Sequence, residues 1–337
     1  MTSEILLRAP VGLLPVLVFL FALVYLDSYK LVRLRVVLFV IFLGCLSTVA
    51  AYYVNPLVMS SLAVEFGPYS RYVAPLVEEA LKALVMIFLF RTNRIGFLVD
   101  AAIMGFAVGA GFALVENLYY LQAGAGSHFG VWIIRGFGTA IMHGGVVAIF
   151  GVLSQALTER SMRINPLLYV PGLLVAATLH SVFNHFPGTP ILTTVGTLLA
   201  LPPILAFVFR KSARAMHAWL QLDFDADARL ITMITSHEFS ESNIGRFLTD
   251  LKTKFEGPVV ADMLCYLRVY TELAIRAKGV LMMRENGLEA PVGERTQEKF
   301  DELHYLEKSI GKTGCLAMKP FLQMERKDLW QLNVLTR

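Results

Sequence analysis

Residues 69–90 read YSRYVAPLVEEALKALVMIFLF, an apolar run long enough to cross a bilayer, with Glu78, Glu79 and Lys82 inside it. A helix needs about 20 mostly apolar residues to span the hydrocarbon core, and an ionisable group near its centre costs at least about 2.5 kcal/mol. Three such groups in one run are tolerable only where neighbouring helices or a water-filled chamber shelter them. The stretch therefore predicts a membrane helix packed among others. Further apolar runs at 9–26, 36–54, 98–121, 131–153, 167–186 and 191–209 bring the expected total to about seven spans. The first run lacks a small-x-small cleavage site and leads straight into the second, so it reads as a retained span rather than a secretory leader.

Composition points the same way. Of 337 residues 56% are hydrophobic and 17% charged, with mean hydropathy +0.60, whereas soluble domains average about 25% charged. A purely water-soluble enzyme is excluded. The deficit is uneven: residues 1–209 hold 11 Lys/Arg and 8 Asp/Glu, and the shorter 210–337 holds 19 and 18. The expected architecture is all-α, a polytopic membrane helix bundle over 1–209 followed by a helical cytoplasmic domain over 210–337. Cys45, Cys265 and Cys315 match neither a disulfide framework nor a zinc spacing. The net charge of +4 lies mostly beside apolar runs, where it speaks of membrane orientation and not of nucleic-acid binding.

Lys and Arg collect in alternate loops. Lys30, Arg33, Arg35, Arg91, Arg94, Arg160, Arg163, Arg210, Lys211 and Arg214 fall on one side, against Arg8 and Arg71 on the other. The positive-inside tendency then places the N-terminus outside and the C-terminal domain in the cytoplasm.

Ionisable and amide groups belong mainly to the middle four spans, the first, second and seventh containing almost none. They are Glu78, Glu79 and Lys82; Glu116 with Asn117; Arg135 and His143; and His180, Asn184 and His185. At about 1.5 Å of rise per residue they fall in the outer half to the centre of the membrane, which predicts one shared polar pocket open to the outer face. Residues four apart share a helix face, so Glu78 with Lys82, Phe112 with Glu116 and His180 with Asn184 each form a pair. Gly105 and Gly109 have the GxxxG spacing that lets helices approach closely. Plainer roles exist for each group: Glu78 and Lys82 as a buried ion pair fixing register, Asn117 and Arg135 as interhelical hydrogen-bonding groups, His185 as an interfacial residue. The second carboxylate at position 79 is what the ion-pair account leaves unexplained.

Taken in order, the EExxK of Glu78 to Lys82, the FxxxE of Phe112 to Glu116, the solitary His143 and the HxxxN of His180 to Asn184 resemble the PrsW family of intramembrane proteases. That family is related to the CAAX prenyl endopeptidases and the bacteriocin-immunity membrane proteins. The resemblance covers about 69–186. Its last motif has Asn184 where PrsW sequences carry Asp, the form found in the CAAX enzymes. The resemblance implies an intramembrane endopeptidase of the inner membrane that cuts a membrane-anchored, anti-sigma-factor-like substrate near the outer face.

Peptide hydrolysis needs a water, a base to take its proton and donors for the developing oxyanion. The resemblance implies Glu78 or Glu79 as the base. Glu116 and His143 would hold the water or shuttle its proton, His180 and Asn184 would donate to the carbonyl oxygen, and Lys82 and Phe112 would support the site. The preferred mechanism is metal-free, because no HExxH helix is present; zinc held by His143, His180 and Glu116 is the alternative. The rival function is a proton- or ion-coupled transporter using the same cluster as a relay, against which stands the lack of an inverted repeat. Expected partners are a membrane-protein substrate and the lipid bilayer, with self-association or a regulatory partner through 210–337. In that region Phe224, Leu230, Ile231 and Ile234 open one amphipathic stretch, and Phe247, Leu248 and Leu251 mark another. Gly257-Pro258 is a stop and restart, Asn286-Gly287 a turn, and a helix from about Gly293 to Ser309 carries Phe300, Leu303 and Leu306 on one face.

Overall fold

A computed structural model describes residues 2–123, 128–159, 165–288, 295–322 and 326–336. The loop cations Arg160 and Arg163 and the expected helix start at Gly293 lie outside the described residues. Among the described residues all regular structure is helical, as the composition requires: in hydrocarbon only a helix or a closed barrel satisfies its own backbone. The chain divides into two compact units, Met1–Ala213 and Arg214–Arg337.

The first unit contains α1 (Thr2–Leu26), α2 (Leu34–Leu62), α3 (Ala74–Arg91), α4 (Leu98–Gln122), α5 (Ala140–Thr158), α6 (Val170–Asn184) and the start of α7 (Pro190–Thr235). Six helices hold a segment long and apolar enough to cross a membrane: Leu7–Leu26, Leu34–Leu62, Leu98–Gln122, Phe129–Thr158, Pro166–Asn184 and Pro190–Thr235, the apolar part of the last being 191–209 and its remainder from Arg214 belonging to the second unit. The protein is therefore a multi-pass membrane protein. The expected run 69–90 is helical over α3, but Glu78, Glu79, Lys82 and Arg91 keep it below that apolar standard. Two of those charges, Glu79 and Lys82, are almost completely buried, so this helix depends on its neighbours for shelter.

The helix at the centre is α4, with an uninterrupted buried stretch from Val99 to Ala113. Close approach depends on glycine. A Cβ at Gly109 would fall on the carbonyl oxygen of His143, and one at Gly105 would lie 2.5 Å from the carbonyl oxygen of Val147, so α4 and α5 pack backbone to backbone through the GxxxG face. Large apolar side chains such as Leu38, Phe42, Leu174 and Leu199 point outward, the inside-out pattern of a bundle solvated by lipid.

Two entrances depart from regular α geometry. A π turn at Tyr69–Val73 leads into α3, and another at Ile134–Thr139 leads into α5. The second helix also differs from expectation: it does not stop at 54 but runs through Pro56 to Leu62, as membrane helices tolerate proline. That extension carries Asn55 into the bundle.

The second unit contains α8 (Asn243–Leu251), α9 (Gly257–Glu285), α10 (Arg295–Met318) and α11 (Arg326–Thr336). Asn286 ends α9, followed by Gly287 at φ 72°, and Phe300, Leu303 and Leu306 are buried as their spacing predicts. Gly311, at φ 65° and ψ 178°, breaks α10 internally.

Candidate active site

Four helices deliver the polar groups to one place. On α3, Glu79 and Lys82 are one turn apart, and Lys82 Nζ donates to Glu79 Oε1 at 2.7 Å. The same ammonium lies 2.9 Å from His143 Nδ1 on α5 and 3.9 Å from the centre of the Phe112 ring on α4. Lys82 is wholly buried, yet a carboxylate, an imidazole nitrogen and an aromatic face meet its charge. His180 on α6 closes the circuit: its Nδ1 is 2.8 Å from Glu79 Oε1, and its ring lies edge-on to His143 with centroids 4.7 Å apart.

These partners fix the tautomers. With Glu79 accepting, His180 carries its proton on Nδ1 and leaves Nε2 with a free lone pair. That nitrogen faces Glu78 Oε2 at 4.0 Å. His143 accepts from Lys82 at Nδ1, so its Nε2 carries the proton and donates to Glu116 Oε2 at 3.2 Å. Arg135 holds Glu116 from the far side, with Nη2 3.3 Å from Oε2. It is itself fixed by Asn117 Oδ1 at 2.8 Å and by the Tyr120 ring 3.8 Å away. The second π turn contains Arg135.

The two adjacent glutamates are thus unlike. Glu79 has one carboxylate oxygen taken by both Lys82 and His180. Glu78 receives one long hydrogen bond, from Asn55 Nδ2 to Oε1 at 3.4 Å, and turns its other oxygen toward the imidazoles. Ligand atoms of Glu78, His143 and His180 all lie within 4.8 Å of one another. Two nitrogens and one carboxylate are the kind of protein donor set that a catalytic zinc site uses, and the Glu79 bond to His180 Nδ1 is the outer-shell contact such ligands usually have. The residues fit a zinc ion. The ligand set expected from the sequence differs by one member: the geometry groups Glu78 with His143 and His180, while Glu116 Oε2 is shared between His143 Nε2 and Arg135.

Of the residues singled out by sequence, Glu78, Glu79, Lys82, Phe112, Glu116, His143 and His180 come together. Asn184 is used elsewhere: its Nδ2 donates to the Ser70 carbonyl at 3.0 Å, and its neighbour Ser181 donates to Arg71 O at 2.6 Å. Both bonds tie the end of α6 to the π turn ahead of α3. His185 is exposed and meets the Tyr72 ring, in keeping with an interfacial role. The residue that sequence reading missed is Asn55, whose one signal was a polar side chain in an Asn-Pro step closing an apolar run.

A membrane helix bundle that encloses carboxylate, ammonium and imidazole groups from four helices defines a polytopic membrane protein with an internal reactive site. Residues 32–209 match the family model of the PrsW family intramembrane metalloproteases. That stretch is more than half of the chain, and the chain belongs to this family. No curated protein and no solved structure matches it. Membership makes the protein an intramembrane endopeptidase acting on membrane-protein substrates; the matched stretch leaves out α1 and the second unit.

Proposed function

We propose that the protein hydrolyses a peptide bond of a membrane-anchored, anti-sigma-factor-like substrate near the outer face of the inner membrane, at the cluster of Glu78, His143 and His180. The observation that carries this reading is the convergence of those three side chains, from three helices, to within 4.8 Å of one another. They would hold a zinc ion, with His180 oriented for it by the bond from its Nδ1 to Glu79. The ion would supply Lewis acidity toward the scissile carbonyl and the attacking water.

The remaining steps belong to the chain itself. Glu79 orients His180 by accepting from its Nδ1, and Lys82 joins Glu79 to His143 so that the two rings keep their edge-on arrangement. Glu116 stands outside the trio and is 24% exposed where Glu79 is 2%, so it is the carboxylate placed to exchange protons with water entering the site. Arg135 holds it in position. The bundle buries the rest, which keeps bulk water from competing.

The test is cleavage of a fluorogenic single-span peptide by the purified full-length chain in detergent, with metal content measured on the same sample. About one zinc per chain, activity lost on chelation and restored by zinc, and a loss of about 10²–10⁴-fold in Glu78→Gln are expected. Full activity in a metal-free sample would return the chemistry to a metal-free glutamate mechanism. Full activity in Glu78→Gln would remove this site altogether.

A further inference from the structure

Tyr69 and Asn55 form a short relay that ends on Glu78. Tyr69 Oη donates to Asn55 Oδ1 at 2.9 Å, and Asn55 Nδ2 donates to Glu78 Oε1 at 3.4 Å. Tyr69 is 3% exposed, so its hydroxyl has been taken from water to make this bond. Its direction also settles the amide: with Oδ1 accepting from the phenol, Nδ2 is the end turned to the carboxylate.

The first π turn explains how Tyr69 reaches this place. Tyr69 and Glu78 are nine positions apart, and at about 100° per residue an unbroken α-helix would put them on nearly opposite faces. A π turn absorbs one extra residue and takes back about 100° of that rotation, bringing the tyrosine round toward the α2 side. Asn184 and Ser181 hold the turn by bonding the Ser70 and Arg71 carbonyls. On α2, Pro56 has no N–H to give the Tyr52 carbonyl, and the helix continues past it with Asn55 facing α3. A π turn at Tyr69–Val73 and a helix that runs on through Pro56 flank this chain of hydrogen bonds to one carboxylate.

We propose that Asn55 and Tyr69 are positioning residues for the reaction. Asn55 occupies Glu78 Oε1 so that Oε2 stays turned toward His143 and His180, and Tyr69 acts through Asn55 by locking its amide. This rests on the reading of Glu78 given above. A neutral amide suits that role because it fixes the carboxylate without adding a charge that would compete with the two imidazoles. Outer-shell partners of this kind typically change metal affinity or activity by about 10–100-fold.

The experiment is a double-mutant cycle in the full-length protein in detergent, on a fluorogenic single-span peptide that the wild type cleaves. Zinc affinity is measured alongside by chelator competition. Asn55→Ala should lower kcat about 10–100-fold with KM within about twofold, and weaken zinc by a similar factor. Tyr69→Phe, which keeps the buried ring and its packing, should lower kcat by about 3–10-fold. The pair together should be no worse than Asn55→Ala alone if Tyr69 acts through Asn55. A structural role would instead multiply the two losses or raise KM. Either result, or Asn55→Ala and Tyr69→Phe at wild-type kcat and zinc affinity, overturns the proposal. If Asn55→Ala does not fold, Tyr69→Phe decides by its kcat and zinc affinity. Glu78→Gln run beside them separates the two readings. An active Glu78→Gln removes the site itself, whereas an inactive one with unimpaired Asn55→Ala and Tyr69→Phe removes only the relay.

Discussion

Glu78 and Glu79 are neighbours with the same side chain, yet their environments assign them different work. Glu79 balances a buried ammonium, and breaking a buried pair by removing one partner costs about 3–5 kcal/mol because the other charge is left uncompensated. Glu79→Gln should therefore lower stability by about 3 kcal/mol, whereas Glu78→Gln, whose amide oxygen can still accept the long bond from Asn55, should stay within about 1 kcal/mol of wild type. Both should lose activity, so thermal melting, not the assay, tells them apart. Adding Lys82→Met to Glu79→Gln should recover most of the lost stability without recovering activity. Equal melting of the two single variants would mean that Lys82 does not depend on Glu79 for its charge balance.

Among the elements, the closest fit is between α4 and α5. Gly109 sits where any Cβ would strike the His143 carbonyl, so Gly109→Ala must push α5 outward and carry His143 away from Lys82 and His180. Overpacking of this kind costs about 1–3 kcal/mol, and kcat should fall at least about tenfold, since positioning errors near 1 Å can cost about 10²-fold. Gly196→Ala on α7 is the control: nothing lies within 4 Å of its Cβ position, and both melting and kcat should match wild type. A Gly109→Ala enzyme of normal kcat would show that the site tolerates movement of α5. This element scale also shows what sequence could and could not reveal. The spans were legible because lipid demands about 20 apolar residues, and the cluster because charges inside such runs are conspicuous. The i,i+4 spacing put Phe112 and Glu116 on one helix face, and the Phe112 ring lies 3.9 Å from Lys82 Nζ. The π turns were not legible, because widening by one residue leaves no mark in composition. Asn55 was hidden for a related reason: reading α2 as ending at 54 placed it in a loop, and only the continuation through Pro56 puts it beside Glu78. Likewise HxxxN marks a helix face but not a partner, and Asn184 proved to be bonded to Ser70.

At the scale of the whole molecule, the change in charge density along the sequence corresponds to two units with different means of support. The first unit, poor in charge, brings Glu78, Glu79, Lys82, Glu116 and Arg135 together at the site. The second, rich in charge, buries one ammonium of its own: Lys278 is 1% exposed, donates to Asp227 Oδ2 at 2.6 Å and lies 5.2 Å from the Trp219 ring centre. Burial pushes the Asp227 carboxyl above its ordinary value of 3.8, while the bond and charge of Lys278 pull it back. Removing the lysine takes away the restraint. Lys278→Met should therefore destabilise the second unit by about 2 kcal/mol at pH 7, at the lower end for a buried pair because Asp227 is partly exposed. The sign with pH follows from the raised carboxyl: protonated Asp227 favours the folded state, an advantage fully present below 3.8 and lost as pH rises through the folded value. The deficit of Lys278→Met should then be largest near neutrality and shrink on acidification toward pH 4, and Asp227→Leu combined with Lys278→Met should restore most of it at pH 7. Hydrogen exchange over Gly257–Glu285 in the full-length protein measures this locally. Faster exchange there at pH 7 than in wild type, returning to normal in the double variant, is the expected result. A deficit that grows as pH falls would show that Lys278 acts through packing of its chain and not through the charge of Asp227.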